Sequence, residues 1–120
     1  MFDSSWELYF YLYHKMNNHN ISRATNRLKY TFNGKDHYYF PDFNVDGKLY
    51  EIKGGQFWKE GTMQNPYDHT LDALFEAKHL CGLKNGVTFI KEDDMRPIIT
   101  FVDNVCTNEF IKSFRHYQSR

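Results

Sequence analysis

The sequence predicts an α+β (α/β) domain with a mixed sheet, and three observations carry that class. Aromatic residues recur at helical spacing near the N-terminus. Across residues 27–53 the period shortens to two and two Xaa-Gly dipeptides interrupt it. Helical spacing then returns toward the C-terminus around one short apolar run. The predicted order is α-β-β-β-α-β-α-α. At 120 residues the chain is read as one domain spanning 1–120. Its 41% hydrophobic and 18% aromatic content is enough to form a core.

The first helix is expected over residues 4–18. Ser4 or Ser5 can cap it, Glu7 sits in its first turn, and Trp6, Tyr9, Phe10, Tyr13 and Met16 form its stripe, before Asn17, Asn18, His19 and Asn20 end it. Three strand-like runs follow, Leu28 to Phe32, His37 to Asn44 and Lys48 to Lys53. Asn33-Gly34 and Asp46-Gly47 separate them, and each can supply the positive φ angles of a type I′ turn. An antiparallel three-stranded meander is the expected result. Residues 54–68 read as a long polar loop, a length that is uncommon without a function. A second helix is expected over residues 69–82 with Gly82 as its stop, then a buried strand from Val87 to Ile90. Two C-terminal helices complete the chain. In the first, preceded by Asp93 and Asp94 and with Pro97 in its first turn, Ile98, Phe101, Val102 and Val105 form the stripe. In the second, capped by Thr107, the stripe is Phe110, Ile111, Phe114 and Tyr117.

Charge and cysteine content narrow the functional classes. The net charge is zero, which by itself argues mildly against a nucleic-acid partner. The charges are unevenly spread, however. Residues 20–40 carry Arg23, Arg27, Lys29 and Lys35 against Asp36 alone, leaving an acidic balance elsewhere. Cys81 and Cys106 make no disulfide framework, CxxC pair or structural zinc spacing, and read as reduced thiols of a cytoplasmic protein. The N-terminus lacks a basic n-region and no apolar run reaches membrane-spanning length, so neither a signal peptide nor a membrane partner is expected.

The chemistry is concentrated in Phe40-Pro41-Asp42-Phe43 and Leu49-Tyr50-Glu51-Ile52-Lys53-Gly54. If Asp46-Gly47 is the hairpin loop, Val45 faces Lys48, Phe43 faces Tyr50, and Asp42 faces Glu51 on the same side of the sheet. Lys53, two residues beyond Glu51, falls on that side as well. Phe43, Val45, Tyr50 and Ile52 then make the opposite, apolar face. Two opposed carboxylates repel, and a hard divalent cation with oxygen preference is the natural compensation. A solvent-facing ion-pair ladder is the plain alternative for Glu51 and Lys53.

Pro41-Asp42 followed by Glu51-Ile52-Lys53 and Gly54 resembles the PD-(D/E)XK motif of restriction-endonuclease-like nucleases. Ser4-Ser5-Trp6-Glu7 with Tyr39-Phe40-Pro41-Asp42-Phe43 further resembles small phage-type members. The resemblance implies an α-β-β-β-α-β core over about residues 4–91, with the C-terminal helices (about 93–118) as an extension. It implies Mg²⁺, for which Mn²⁺ substitutes, held by Asp42, Glu51 and the carbonyl of Ile52. Lys53 would act on the attacking water, and Glu7 is a fourth candidate from the first helix. It also implies DNA as partner, endonucleolytic hydrolysis leaving a 5′-phosphate, and a homodimer if both strands are cut together. Gln56 and Lys78 are candidate substrate contacts, against a loop amide and a snorkelling surface lysine as their plain alternatives. Glu7 also suits a helix-dipole carboxylate. The Gln-x-x-x-Tyr helix motif of exonuclease-like relatives is absent. A catalytically inactive DNA-binding or regulatory module on the same fold is the other functional reading.

Overall fold

The computed structural model describes residues 5–105. In chain order it comprises α1 (Ser5–Met16), β1 (Ile21–Arg23), β2 (Leu28–Phe32), β3 (Lys35–Tyr39), β4 (Phe43–Val45) and β5 (Lys48–Ile52). After a 3-10 turn at Gly55–Phe57 come β6 (Trp58–Lys59) and β7 (Thr62–Met63). A second 3-10 turn at His69–Leu71 leads into α2 (Asp72–Lys84), β8 (Thr88–Ile90) and α3 (Glu92–Val105). The architecture is mixed α and β with three helices. The main sheet has the order β1-β4-β5-β8, antiparallel except for the parallel β5–β8 pair. The second C-terminal helix expected from Thr107 through Tyr117, and Cys106, lie outside the described residues.

The hairpin turns form as the dipeptides require. Asn33-Gly34 has φ of 51° and 75°, and Asp46-Gly47 has 50° and 90°. The β4–β5 register is the expected one, with Phe43 opposite Tyr50, Asn44 opposite Leu49 and Val45 opposite Lys48. The expected three-stranded meander does not form. The run from His37 to Asn44 breaks at Phe40-Pro41-Asp42, and β2–β3 becomes a separate two-stranded hairpin. Pro41 lacks the N–H that a continuous ladder needs there. The sheet position next to β4 is taken instead by β1, which was hidden in the polar stretch after α1. In the expected loop over 54–68, Glu60-Gly61 (φ 51° and 85°) turns the small β6–β7 hairpin.

Two layers cover the sheet. On one face Ile21, Phe43, Val45, Ile52 and Ile90 pack with Phe10 of α1 and Met95 of α3. A satellite of Leu8, Leu12 and Val102 joins α1 to α3. The α1 stripe is therefore shared between two surfaces: Phe10, Leu8 and Leu12 are buried, whereas Trp6, Tyr9 and Tyr13 are only half-buried. On the other face α2 and the β2–β3 hairpin enclose Tyr39, Cys81 and Val87, with Leu28, Tyr30, Leu49 and Phe89 packed around them. Sequence pattern alone left this second side uncovered. Its covering puts Glu51 in the interior.

Two boundaries also differ. α3 begins at Glu92, so Asp93 and Asp94 lie in its first turn and Pro97 sits beyond it. Asp94 reaches back to accept the Lys91 N–H at 3.0 Å, half of a capping box. α2 runs through Gly82 to Lys84, and the left-handed residue that ends it is Gly86, φ +77°. Gly82 is needed for packing: a Cβ there would stand 2.6 Å from Phe89 Cζ and 3.1 Å from Tyr39 Cε2. Gly82→Ala gains helix propensity of about 1 kcal/mol but overpacks this layer at a cost of about 1–3 kcal/mol. A net loss of roughly 1 kcal/mol is expected in urea unfolding. An unchanged or raised midpoint would mean that the Phe89 ring yields.

Candidate active site

Asp42 follows Pro41 at the start of β4, and Glu51 lies one residue from the end of β5. The ladder between the two strands is closed by a side chain: Asp42 Oδ2 accepts the Ile52 N–H at 2.8 Å. This brings the Asp42 carboxylate to the end of β5, beside Glu51. Lys53 follows, with Nζ 3.4 Å from Glu51 Oε2 and 4.8 Å from the centroid of the Phe57 ring. Its backbone is held on both sides. The Lys53 N–H donates to the Ile90 carbonyl at 3.1 Å, and the Trp58 indole N–H donates to the Lys53 carbonyl at 3.2 Å.

These residues border a cleft of about 540 Å³ whose walls include Glu7, Asp42, Ile52, Lys53, Gln56 and Glu92. Glu51 is not part of that wall and is only 3% exposed. Glu7 faces the cleft but is held by Arg23, Nη1 to Oε1 2.7 Å. Arg23 in turn stacks on Phe43, 4.7 Å from the ring centroid. Gln56 lines the cleft, and its side chain folds back over Gly54. Lys78 is not a free surface lysine. Its ammonium sits 5.0 Å from the centroid of the Tyr39 ring, and Glu51, Lys53 and Asp42 all act on it. The structure therefore gathers Asp42, Glu51, Lys53 and Lys78 into one electrostatic cluster, with Glu7, Ile52 and Gln56 on the cleft beside it. Arg23, Tyr39 and Trp58 were not picked out from the sequence. Arg23 had a signal in the basic stretch. Trp58 had none beyond its closeness to the motif.

Burial dominates the electrostatics. It pushes the Glu51 carboxyl up to about 7; the neighbouring Asp42 charge adds to the rise, and Lys53 and Lys78 oppose it. Burial raises Asp42 as well, countered by the Ile52 amide and Lys53. Burial lowers Lys78, and the carboxylates only partly restore it. Glu51 Oε1 is buried with no hydrogen-bond partner among the described residues.

No group of three or more His, Cys, Asp or Glu side chains is gathered as a metal site among the described residues. The available donors are the Asp42 and Glu51 carboxylates and the carbonyl of Ile52. They are hard oxygens beside a cleft with room for water, and they fit Mg²⁺ or Mn²⁺ bound through few protein ligands. No family model, no curated protein and no solved structure matches the chain.

The raised Glu51 carboxyl has a consequence for stability. Between its ordinary 4.5 and about 7 the folded, metal-free protein holds a proton that the unfolded chain has released. Unfolding free energy therefore falls as pH rises through that window, by about 3 kcal/mol in full. Urea unfolding from pH 4.5 to 8 should show this fall in the wild type and a flatter profile in Glu51→Gln. Parallel profiles would remove Glu51 as the buried titrating group.

Proposed function

We propose that the chain is an intracellular metal-dependent endodeoxyribonuclease of the PD-(D/E)XK type, with Mg²⁺ as cofactor and Mn²⁺ as substitute. The observation that carries this reading is the convergence of Asp42, Glu51 and Lys53 at one end of the sheet. The topology supports it. Setting aside the β2–β3 and β6–β7 hairpins, the order α1-β1-β4-β5-α2-β8 is the α-β-β-β-α-β order expected of that family. The buried, unbridged Cys81 suits a reducing compartment. No helix among the described residues is long and apolar enough to cross a membrane.

In this reading Asp42, Glu51 and the Ile52 carbonyl would hold the cation, which would supply charge neutralisation at the phosphate and a more acidic water. Asp42, fixed by the Ile52 amide, presents its other oxygen. Lys53 leaves its ion pair with Glu51 to orient the attacking water and to stabilise charge developing on the phosphoryl oxygens. Glu7 stays ion-paired to Arg23 and acts on the cleft through its position. For the DNA itself, Arg27 stacks over Tyr38 at 3.9 Å on the exposed face of the β2–β3 hairpin, opposite the side packed on α2. Lys29 is opposite Tyr38 in the register. This cation-rich ribbon gives an otherwise neutral chain a place to meet phosphates. One active site per chain nicks; concerted double-strand cleavage requires a homodimer, for which the exposed Phe101 and Val105 of α3 offer apolar surface.

The test pairs Mn²⁺ titration calorimetry with nicking of supercoiled plasmid in Mg²⁺ and Mn²⁺. The wild type should bind the ion and nick. Asp42→Asn should lose both. Lys53→Ala should lose cleavage by a factor on the order of 10²–10³ while binding Mn²⁺ at least as tightly, because its ammonium no longer competes at Glu51. Wild-type cleavage by either variant would overturn the assignment. DNA binding by a wild type that takes up no metal and makes no nick would favour the inactive binding module.

A further inference from the structure

We propose that Tyr39 is a positioning residue that holds the Glu51 carboxylate through a hydrogen bond from its hydroxyl to Oε1; as a metal-site role, this rests on the reading of Glu51 as a ligand. Tyr39 is 1% exposed, and its hydroxyl is one of two buried side-chain polar atoms without a hydrogen bond of standard geometry among the described residues. The other is Glu51 Oε1. Of the charged groups acting on the phenol, the Glu51 carboxylate acts most strongly, ahead of Asp42 and the Cys81 thiol. One atom lacks an acceptor and the other lacks a donor, in the same water-excluded place. A phenolic O–H rotates freely to suit an acceptor, and leaving both atoms unpaired would cost several times a mutational hydrogen bond.

The surroundings fix the ring. One ring edge lies against Gly82, where a Cβ would approach Tyr39 Cε2 to 3.1 Å. The Lys78 ammonium covers a face at 5.0 Å from the centroid. Cys81 and Val87 pack alongside. The chain path explains how Tyr39 reaches Glu51 at all. In an unbroken strand, residues 39 and 42 would point to opposite faces. The break at Phe40-Pro41, with Phe40 exposed and Pro41 buried, turns both Tyr39 and Asp42 toward Glu51. The inserted β2–β3 hairpin thus ends in a group that orients the buried carboxylate, as partners of metal-ligating carboxylates do.

Tyr39→Phe removes the hydroxyl and keeps the ring. Mn²⁺ affinity by calorimetry should fall by about tenfold or more, and plasmid nicking should fall with it and recover as Mn²⁺ is raised. Without metal, Tyr39→Phe should lower the Tm in the wild-type background and not in a Glu51→Leu background. Equal Mn²⁺ affinity together with an equal or higher Tm in Tyr39→Phe overturns the inference, because that is the behaviour of a hydroxyl with no acceptor. A wild type that binds no Mn²⁺ overturns the metal site and Tyr39's role in it. The Tm comparison then decides separately whether the Tyr39–Glu51 hydrogen bond exists.

Discussion

The structure around the candidate site depends on one costly arrangement, the burial of the Glu51 carboxylate next to that of Asp42. Moving a carboxylate out of water costs several kcal/mol even after the protein relaxes. The compensation here is incomplete. Lys53 meets one oxygen of Glu51 at 3.4 Å, Lys78 acts from above the Tyr39 ring, and the second oxygen has no standard partner. A core built for stability alone would fill this space with an apolar side chain. Perturbed, partly satisfied carboxylates beside a cleft are the pattern expected where chemistry needs them.

Much of the surrounding chain serves to keep that cluster in register. β5 lies between β4 and β8, so both neighbours fix its height. Past the strand end, the Ile90 carbonyl and the Trp58 indole continue to hold the Lys53 backbone. Trp58 is itself fixed by the edges of His79 and Phe89 and by Lys91 over its ring at 4.1 Å. The 54–68 segment, polar and long in sequence, is thus folded around the residue it follows. Lys53 is thus fixed at its backbone, while its Nζ lies between Glu51 and the Phe57 ring.

The sequence made some of this legible and concealed the rest, for physical reasons. The Asp46-Gly47 turn has short-range rules, so the β4–β5 register from Phe43 opposite Tyr50 to Val45 opposite Lys48 could be read from the dipeptide and the alternation around it, whereas Asp42 lies past the ladder and reaches β5 through its side chain. The apolar face of Phe43, Val45 and Ile52 followed from the same count. β1 was invisible because Ile21-Ser22-Arg23 is three residues long with one buried side chain, too little for periodicity to register. The fate of the β2–β3 hairpin is a tertiary matter: its pairing with α2 is decided by Gly82, Phe89 and Tyr39, which are distant in sequence. Burial of Glu51 was missed for the same reason. Alternation shows which side a residue faces, but not whether a second layer covers that side.

Two cations form direct ion pairs with the buried glutamates beside the cleft. Arg23 holds Glu7 at 2.7 Å and Lys53 holds Glu51 at 3.4 Å. The two pairs are not equivalent. Arg23 is backed by the Phe43 ring and reaches Glu7 at the shorter distance. Lys53 is a compact ammonium on a flexible stem at a longer distance, with an aromatic ring, Phe57, as its other neighbour. Under the proposed function, Asp42, Glu51 and the Ile52 carbonyl would hold the cation, and Lys53 is the weaker of the two counter-ions beside them. The Glu7–Arg23 pair is the tighter wall of the cleft, and Lys53, paired with Glu51 at the longer distance, would be the cation free to turn toward the cleft.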